Sequence, residues 1–274
     1  MRNNIKGLSA VIGLFLCCCP ILVSLAQQPD TSGDKPFRVR TIVIDAGHGG
    51  KDPGARGSYS VEKNVALAIA KKLRAAIEDQ MPSIKVVMTR DDNTFIPLNH
   101  RSEIANDIHA NLFISIHCNS SPEGTASMAH KQKGVMVLVY GFHRKGEQLE
   151  ALRENSSIYQ EKNYKETYES YDETDPANQI VLNAYMQKYR KQSILFGDLL
   201  MQQFRATGDR EVLGVKEQGV LVLAHSGMPA VLIETGFINN PSEEDYLNSE
   251  SGQNEIVSSI IKAIAEYRHE EDSK

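Results

Sequence analysis

Short apolar runs alternate with segments of helical periodicity along most of the chain. Residues 39–45 (VRTIVID) are rich in β-branched side chains and end close to Gly47, which indicates a buried strand. Residues 62–79 repeat apolar side chains every three or four positions, as in Val65 and Ile69, and therefore predict a helix. The same criteria predict further strands at 84–88, 112–116, 135–140, 220–223 and 230–233, and further helices at 97–110, 146–160, 178–206 and, in two pieces, between 241 and 268.

This alternation of strands and helices indicates the fold class. Consecutive strands that are joined by helices pair mostly in parallel, because each helix carries the chain back across the sheet. We therefore expect a three-layer α/β fold, in which a mostly parallel, twisted sheet has helices on both faces. The sequence shows no internal repeat, so we expect one globular domain over residues 38–268 and a short tail at 269–274.

The N-terminus has the pattern of a secretory signal peptide. Arg2 and Lys6 precede an apolar stretch, and small residues follow at the positions that a signal peptidase reads. We expect residues 1–26 to be removed on export and residues 27–37 to form a polar linker. A retained membrane anchor is disfavoured, because the apolar run is at the short limit for a membrane-spanning helix. The mature protein is thus expected in the periplasm or the extracellular envelope, without stable membrane insertion.

Net charge and cysteine content argue against nucleic-acid binding and against an internal disulfide. The net charge of −5 becomes −7 without residues 1–26, which contain Arg2 and Lys6 but no acid, leaving 28 basic and 35 acidic side chains. Such an acidic domain is a poor nucleic-acid binder. The mature chain keeps one cysteine, Cys118, so no internal disulfide is expected.

Three polar side chains follow apolar strands of the predicted sheet. They are His48 in AGHGG, His117 in FISIHCN and Glu234 in VLIETG. In an open parallel sheet, ligands bind outside the carboxyl ends of the strands, so these side chains should meet at one rim. Glu62 begins the helix after the His48 loop and should lie at the same rim. Each residue also has an ordinary structural interpretation, such as a helix N-terminal acid for Glu62.

Taken together, these residues are compatible with a metal centre. Two imidazoles and one carboxylate form a common catalytic zinc set that leaves a fourth position for water. A second carboxylate near that water can act as a general base. The pattern thus suggests a hydrolase with His48, Glu62 and His117 on zinc and Glu234 on the water. A Cys118–His117 nucleophile is disfavoured, because neighbouring residues of a strand point to opposite faces.

The sequence resembles the zinc-dependent N-acetylmuramoyl-L-alanine amidases of the AmiC-like type over residues 38–268. The resemblance lies in IVIDAGHGG with DPG after it, in Thr89-Arg90, Leu98 and Arg101, in Ala105-Asn106, in FISIHCN and in PAVLIETGF. In that family the residues that match His48, Glu62 and His117 bind zinc, and the residue that matches Glu234 is catalytic. The resemblance implies hydrolysis of the lactyl–L-alanine amide of peptidoglycan. Arg101 and Asn119 are candidate substrate contacts, although Arg101 could instead stabilise the rim.

Residues 141–192 form a longer connection than such an enzyme needs. Related amidases with division roles carry an insertion here whose helix blocks the zinc until a protein activator binds. The resemblance of Arg153-Glu154-Asn155 to the start of that helix makes Glu154 the candidate plug. A solvated acidic helix face is the alternative.

Three other functions remain open at this stage. They are a zinc peptidase that acts on stem peptides, a catalytically inactive zinc-holding regulator of wall remodelling, and a sugar- or peptide-binding module. The inactive regulator is disfavoured, because all four expected metal and catalytic residues are present.

Overall fold

Short, mostly apolar runs form a central sheet in the computed structural model, which describes residues 38–122, 131–141, 148–169, 175–207 and 210–273. The strands are β1 (Thr41–Ala46), β2 (Lys85–Met88), β3 (Leu112–Asn119), β4 (Val135–Tyr140), β5 (Val212–Gln218) and β6 (Ala230–Phe237). Within these residues they form one sheet in the order β2-β1-β3-β6-β4-β5. All neighbouring pairs are parallel except β4 and β6. This confirms the mostly parallel α/β fold.

Helices cover both faces of this sheet. They are α1 (Glu62–Gln80), α2 (Leu98–Asp107), α3 (Leu149–Asn155), α4 (Tyr164–Thr167), α5 (Pro176–Thr207), α6 (Leu221–Ala224), α7 (Pro241–Asn248) and α8 (Glu250–Asp272), with a 3₁₀ helix at Ser156–Gln160. Ile42 and Ile44 of β1 join the core beneath α1, α5 and α8, whereas Val43 joins the core beneath α2 and α6. Successive strand residues thus bury opposite faces, as the pleat requires.

One predicted strand is wrong. Residues 220–223 are part of a loop and of the one-turn helix α6, and the strand of this region is β5, which the sequence did not predict. A short apolar run fits a buried helical turn as well as a strand. Strand β5 lies at the sheet edge, and its residues are mostly half-buried. Gly214, Lys216 and Glu217 interrupt its apolar residues, so the sequence shows no apolar run there.

Three elements extend further than predicted. Strands β3 and β6 continue beyond residues 116 and 233, so His117 and Glu234 lie within strands and face each other in register. Helix α8 runs through most of the predicted tail to Asp272. The predicted signal peptide and linker, residues 1–37, lie outside the described residues. No helix of the described part has the length and apolar character needed to cross a membrane.

Candidate metal centre

The loop after β1 holds His48 in an unusual backbone conformation. The φ angle of His48 is +58°, which is uncommon for a residue with a side chain. Two buried guanidinium groups fix this loop: Arg101 donates to the carbonyl oxygen of His48 at 2.6 Å, and Arg90 donates to that of Gly47 at 2.6 Å. The strained conformation persists because these donors over-determine it.

Two glycines allow this loop to close around the centre. A Cβ atom at Gly47 would lie 2.4 Å from Nε2 of His117, and a Cβ atom at Gly54 would lie 2.6 Å from Oε2 of Glu62. Gly54 also has a φ of +66°. Side chains at these positions would displace candidate metal ligands, which explains the glycine-rich spacing of the motif.

The side chains of His48, Glu62 and His117 lie together, as the sequence predicted, and Glu154 joins them. One donor atom from each of the four lies within 4.8 Å of the others, and all four residues are buried. His48 comes from the β1 loop, Glu62 from the first residue of α1, His117 from β3 and Glu154 from α3. Residues that are distant in sequence thus form one group of nitrogen and oxygen donors.

The donor set fits a divalent cation. Nε2 of His48 lies 3.1 Å from Oε2 of Glu62 and 3.2 Å from Oε2 of Glu154, yet this buried nitrogen has no hydrogen-bond partner. Oε2 of Glu154 is also without a hydrogen bond. Buried polar atoms are normally hydrogen-bonded. The nitrogen of His48 and the oxygen of Glu154 instead point toward each other without a hydrogen bond, as ligands around an ion do. Imidazole and carboxylate are ligands that zinc accepts.

The acidic surroundings raise the pKa of both imidazoles. Burial alone would lower the pKa of His117, but the carboxylates of Glu154 and Glu62 outweigh burial and raise it to about 9. The pKa of His48 is raised for the same reason, chiefly by Glu62. Without a metal, the positive charges of the imidazolium groups compensate the carboxylates.

Asp52 orients His48 from outside the cluster. Oδ2 of Asp52 lies 2.9 Å from Nδ1 of His48 and also accepts a hydrogen bond of 2.5 Å from the hydroxyl group of Ser157. Burial would raise the pKa of Asp52, but its contacts with His48 lower the pKa to about 2. The anionic Asp52 therefore keeps the proton of His48 on Nδ1 and leaves Nε2 for a metal.

Glu234 lies fully buried beside the cluster, opposite His117 on the neighbouring strand. Its Oε1 atom is 2.7 Å from Nη2 of Arg153, and its Oε2 atom has no hydrogen bond. Burial raises the pKa of Glu234 to about 8, although Arg153 acts in the opposite direction. A carboxylate with a pKa near neutrality is suited to exchange protons during a reaction.

Arg153 is a residue of the site for which no role was predicted. Its guanidinium group bonds Glu234, Oε1 of Glu154 at 2.8 Å and Oδ1 of Asn119 at 2.6 Å. Its own pKa is raised by Glu234 and Glu154 against the effect of burial. The only available signal was its position next to Glu154, because a helical arginine normally extends into solvent.

The two candidate substrate contacts differ in their surroundings. Arg101 is 1 % exposed and donates to Oδ1 of Asp45 and to the carbonyl oxygens of Ile96, Ala46 and His48. Of the two roles that the sequence left open, this geometry favours stabilisation of the rim. Asn119 lies next to the cluster, where its side-chain oxygen accepts from Arg153. Cys118 is fully buried, and its backbone N–H donates to Glu62 at 2.9 Å.

Helix α3 packs over the cluster mainly through polar contacts. Asn155 donates to the carbonyl oxygen of Gly219 at 2.8 Å and accepts from the N–H of Leu221 at 2.9 Å. Leu149 and Leu152 on the outer side of α3 are 65 % and 68 % exposed. The helix is thus attached by hydrogen bonds at the strand-to-helix turn after β5 rather than by a large apolar contact.

A groove of about 790 Å³ opens beside the cluster. Its walls come from the 52–58 loop, from α3 and the 3₁₀ helix, and from the start of α7. His48, Glu62 and Arg153 line one part of this groove. Its volume is in the range of small-molecule and cofactor sites.

The fold and the site define an α/β protein whose buried histidine–glutamate cluster, beside an open groove, could hold a metal ion. The chain belongs to the N-acetylmuramoyl-L-alanine amidase family, whose model matches residues 42–266. Members of this family are peptidoglycan hydrolases, and the chain is an enzyme of this class.

Individual relatives agree with this family assignment. The chain is 36 % identical over 227 residues to a putative N-acetylmuramoyl-L-alanine amidase of Buchnera aphidicola, covering 82 % of this chain and 95 % of the relative. It is 30 % identical over 246 residues to the amidase AmiC of Escherichia coli, covering 88 % of this chain. The chain spans about half (55 %) of the length of that second relative.

Solved structures of amidases share the fold. An N-acetylmuramoyl-L-alanine amidase of Clostridium difficile 630 superposes with a TM-score of 0.61 and 26 % identity, covering 84 % of this chain and 97 % of that one. The CwlD amidase of Clostridioides difficile, in complex with the GerS lipoprotein, gives a TM-score of 0.58 and 25 % identity, covering 83 % and 98 %.

Proposed function

We propose that this chain uses zinc to hydrolyse the amide bond between the lactyl group of N-acetylmuramic acid and the L-alanine of the stem peptide. Family membership supports the reaction. The observation that carries the metal assignment is the buried Nε2 atom of His48, which faces carboxylate oxygens without a hydrogen bond. A set of two imidazoles and one carboxylate is found in catalytic zinc sites that keep an open position.

His48, Glu62 and His117 would hold the zinc ion. When bound, zinc lowers the pKa of coordinated water and polarises the carbonyl group that is attacked. Asp52 keeps the ring of His48 in the required orientation and tautomer, since it accepts from Nδ1. The backbone N–H of Cys118 and that of Ala55 each donate to Glu62, at 2.9 and 2.8 Å, and so fix its carboxylate.

Glu234 is the proposed general base. It is buried next to the cluster and lies opposite His117, where its carboxylate can accept a proton from the attacking water. It then gives the proton to the departing amine of L-alanine. Asn119 lies where it can contact the substrate once Arg153 releases it.

Glu154 supports autoinhibition in the state described here. Its Oε2 atom is 2.7 Å from Nδ1 of His117 and 3.2 Å from Nε2 of His48, so it takes the place that water needs. Arg153 acts at the same time on the base, because it bonds Glu234 and Asn119. Two adjacent residues of α3 therefore block the centre together, since Glu154 takes the place of the water and Arg153 bonds the general base.

The proposal includes export of the protein and its activation by a partner protein. The N-terminal pattern supports secretion to the periplasm or the extracellular envelope, where peptidoglycan is the substrate. A protein activator that engages residues 141–192 would withdraw α3. The relative CwlD, whose solved structure contains a partner lipoprotein, is a precedent for complex formation in amidases of this fold.

Muropeptide analysis tests the proposed reaction. Purified protein with α3 intact, and the variant Glu154→Ala, are incubated with peptidoglycan with and without a zinc chelator. We expect release of complete stem peptides with a free L-alanine amino group, and loss of this product under chelation. Stem fragments cleaved between amino acids would instead indicate a peptidase, and an unchanged product yield under chelation would exclude the zinc mechanism.

A further inference from the structure

The groove beside the metal cluster has acidic walls whose carboxylates are all engaged. Glu62 and Asp52 bond the two histidines. Glu244 accepts hydrogen bonds from the backbone N–H groups of Ser58, Tyr59 and Ser60 and from two serine hydroxyl groups. Burial alone would raise the pKa of Glu244, but the hydrogen bonds from this loop lower it to about 2. Glu244 therefore stays anionic at neutral pH.

Two cations line the same groove, and they differ in their contacts. Arg153 is committed to Glu154, Glu234 and Asn119. Arg56 is exposed, and its guanidinium group has no hydrogen bond or ion pair with any described residue. Because the carboxylates around it are already bonded, Arg56 is the cation available to a ligand in the described part of the groove.

The position of Arg56 relates it to the scissile bond. The preceding residue, Ala55, donates its N–H to Glu62 at 2.8 Å, and the following residue, Gly57, packs against Glu244. Arg56 therefore lies between the metal cluster and the far wall of the groove. An extended peptide advances roughly 3.5 Å per residue, so a stem that follows this wall away from the cluster would pass Arg56 within its first residues.

The second stem residue carries a group that arginine recognises. In peptidoglycan this residue is linked through its γ-carboxyl group, which leaves the α-carboxyl group free in D-glutamate and amidated in D-isoglutamine. We propose that Arg56 binds this free α-carboxylate and makes the enzyme select stems with D-glutamate over amidated stems. An anion entering a groove with acidic walls needs such a partner, and arginine offers paired donors for it. The inference rests on the proposed amidase function.

The test compares two synthetic muropeptides that differ only in this carboxyl or amide group. Rates are measured for the zinc-loaded full chain in the Glu154→Ala background, where Glu154 no longer takes the place of the water. We expect kcat/KM to be about 10-fold or more higher for the D-glutamate substrate, as the loss of a charge-assisted hydrogen-bond pair implies. Arg56→Gln should remove this preference by slowing the acidic substrate alone, and Arg56→Lys should keep part of it.

A matched control and a binding measurement keep the outcomes distinct. Arg74→Gln changes an exposed arginine of α1 that does not line the groove, and it should leave the preference intact. Calorimetric titration of the full chain with L-alanyl-D-glutamate and L-alanyl-D-isoglutamine gives a readout that needs no hydrolysis. Equal effects of Arg56→Gln on both ligands, or none, would overturn the inference. Absent hydrolysis with selective binding would contradict the proposed function, whereas recognition of the free carboxylate by Arg56 would still hold.

Discussion

At the residue scale, protons and a metal ion compete for the same nitrogen atoms of His48 and His117. The surrounding carboxylates raise the pKa of His117 to about 9, so the metal-free imidazoles carry protons at neutral pH. A metal needs the neutral rings, and its binding must release these protons. Affinity should therefore rise as the pH increases from 7 toward 9.

Calorimetry in buffers of different ionisation enthalpy measures this release. We expect about one proton or more per zinc ion at pH 7, and a value that falls as the pH approaches 9. The variant His100→Gln, which alters an exposed histidine of α2, should behave like the original protein. Zinc binding without proton release at pH 7 would contradict the assignment of the imidazoles as ligands.

Glu234 gives a second prediction at this scale. Glu234→Gln keeps the shape of the side chain but removes the proton acceptor, so amide hydrolysis should fall by a factor on the order of 10² or more. Zinc content, measured by atomic absorption, should stay near that of the original protein, because the four clustered donor residues do not include Glu234. A variant that keeps its rate would rule out Glu234 as the base.

The contacts of single residues show where sequence reasoning succeeds. His48, His117 and Glu234 stand out because apolar strands rarely continue into polar residues without a reason. The bond between Arg153 and Glu234 could not be predicted, since it depends on how α3 lies across the sheet. The full burial of Arg101 likewise depends on the path of the His48 loop.

At the scale of elements, α3 decides whether the centre is open. Its contacts to the turn after β5 are hydrogen bonds, and its outer leucines are exposed. Because little apolar surface holds α3 in place, we expect the helix to be displaced easily from the cluster. A blocked state that holds about 90 to 99.9 % of the molecules leaves an open minority. Removing its inner contacts should shift this balance.

Single substitutions in α3 test this balance. Glu154→Ala and Arg153→Met should each raise basal hydrolysis of dye-labelled peptidoglycan by about 10-fold or more, because each removes one of the two contacts with the reaction centre. Leu152→Gln changes the exposed face of the same helix and should leave the basal rate unchanged. If neither inner variant exceeds the original protein, the autoinhibitory role of α3 is wrong.

Elements differ in how far the sequence specifies them. Helix α1 matches its prediction within a residue, because seven of its positions are buried at helical spacing. Strand β5 escaped prediction because an edge strand needs no continuous apolar run, and the apolar residues that follow it form a helical turn instead. The antiparallel pairing of β4 with β6 is a long-range choice that local pattern does not encode.

At the scale of the whole molecule, the metal centre joins separate parts of the fold. Its donors come from the β1 loop, α1, β3 and α3, so an ion bound there stabilises the folded chain relative to the unfolded one. A free zinc concentration of 100 times Kd adds about 2.7 kcal/mol to the free energy of unfolding. For a domain of this size that corresponds to a rise in Tm of roughly 5–10 °C.

Differential scanning calorimetry with zinc and with chelator measures this rise. His48→Ala should lose most of the zinc-dependent shift, whereas His100→Gln should keep it. Equal Tm values with zinc and chelator for the original protein would show that the cluster does not bind the ion.

The fold class followed from the alternation of strands and helices, because the two periodicities differ and recur along the chain. The motifs also indicated that one rim of the sheet carries the chemistry. The closure of that rim by α3 required the three-dimensional arrangement, since residues 148–155 and 218–221 meet only after the sheet has formed.

Anomalous X-ray diffraction at the zinc edge, from crystals of the zinc-loaded protein, is the most direct test of the metal centre. We predict one strong anomalous peak bounded by Nε2 of His48, Nδ1 of His117 and the carboxylate of Glu62. A peak located elsewhere, or no peak among these three side chains at saturating zinc, would contradict the account.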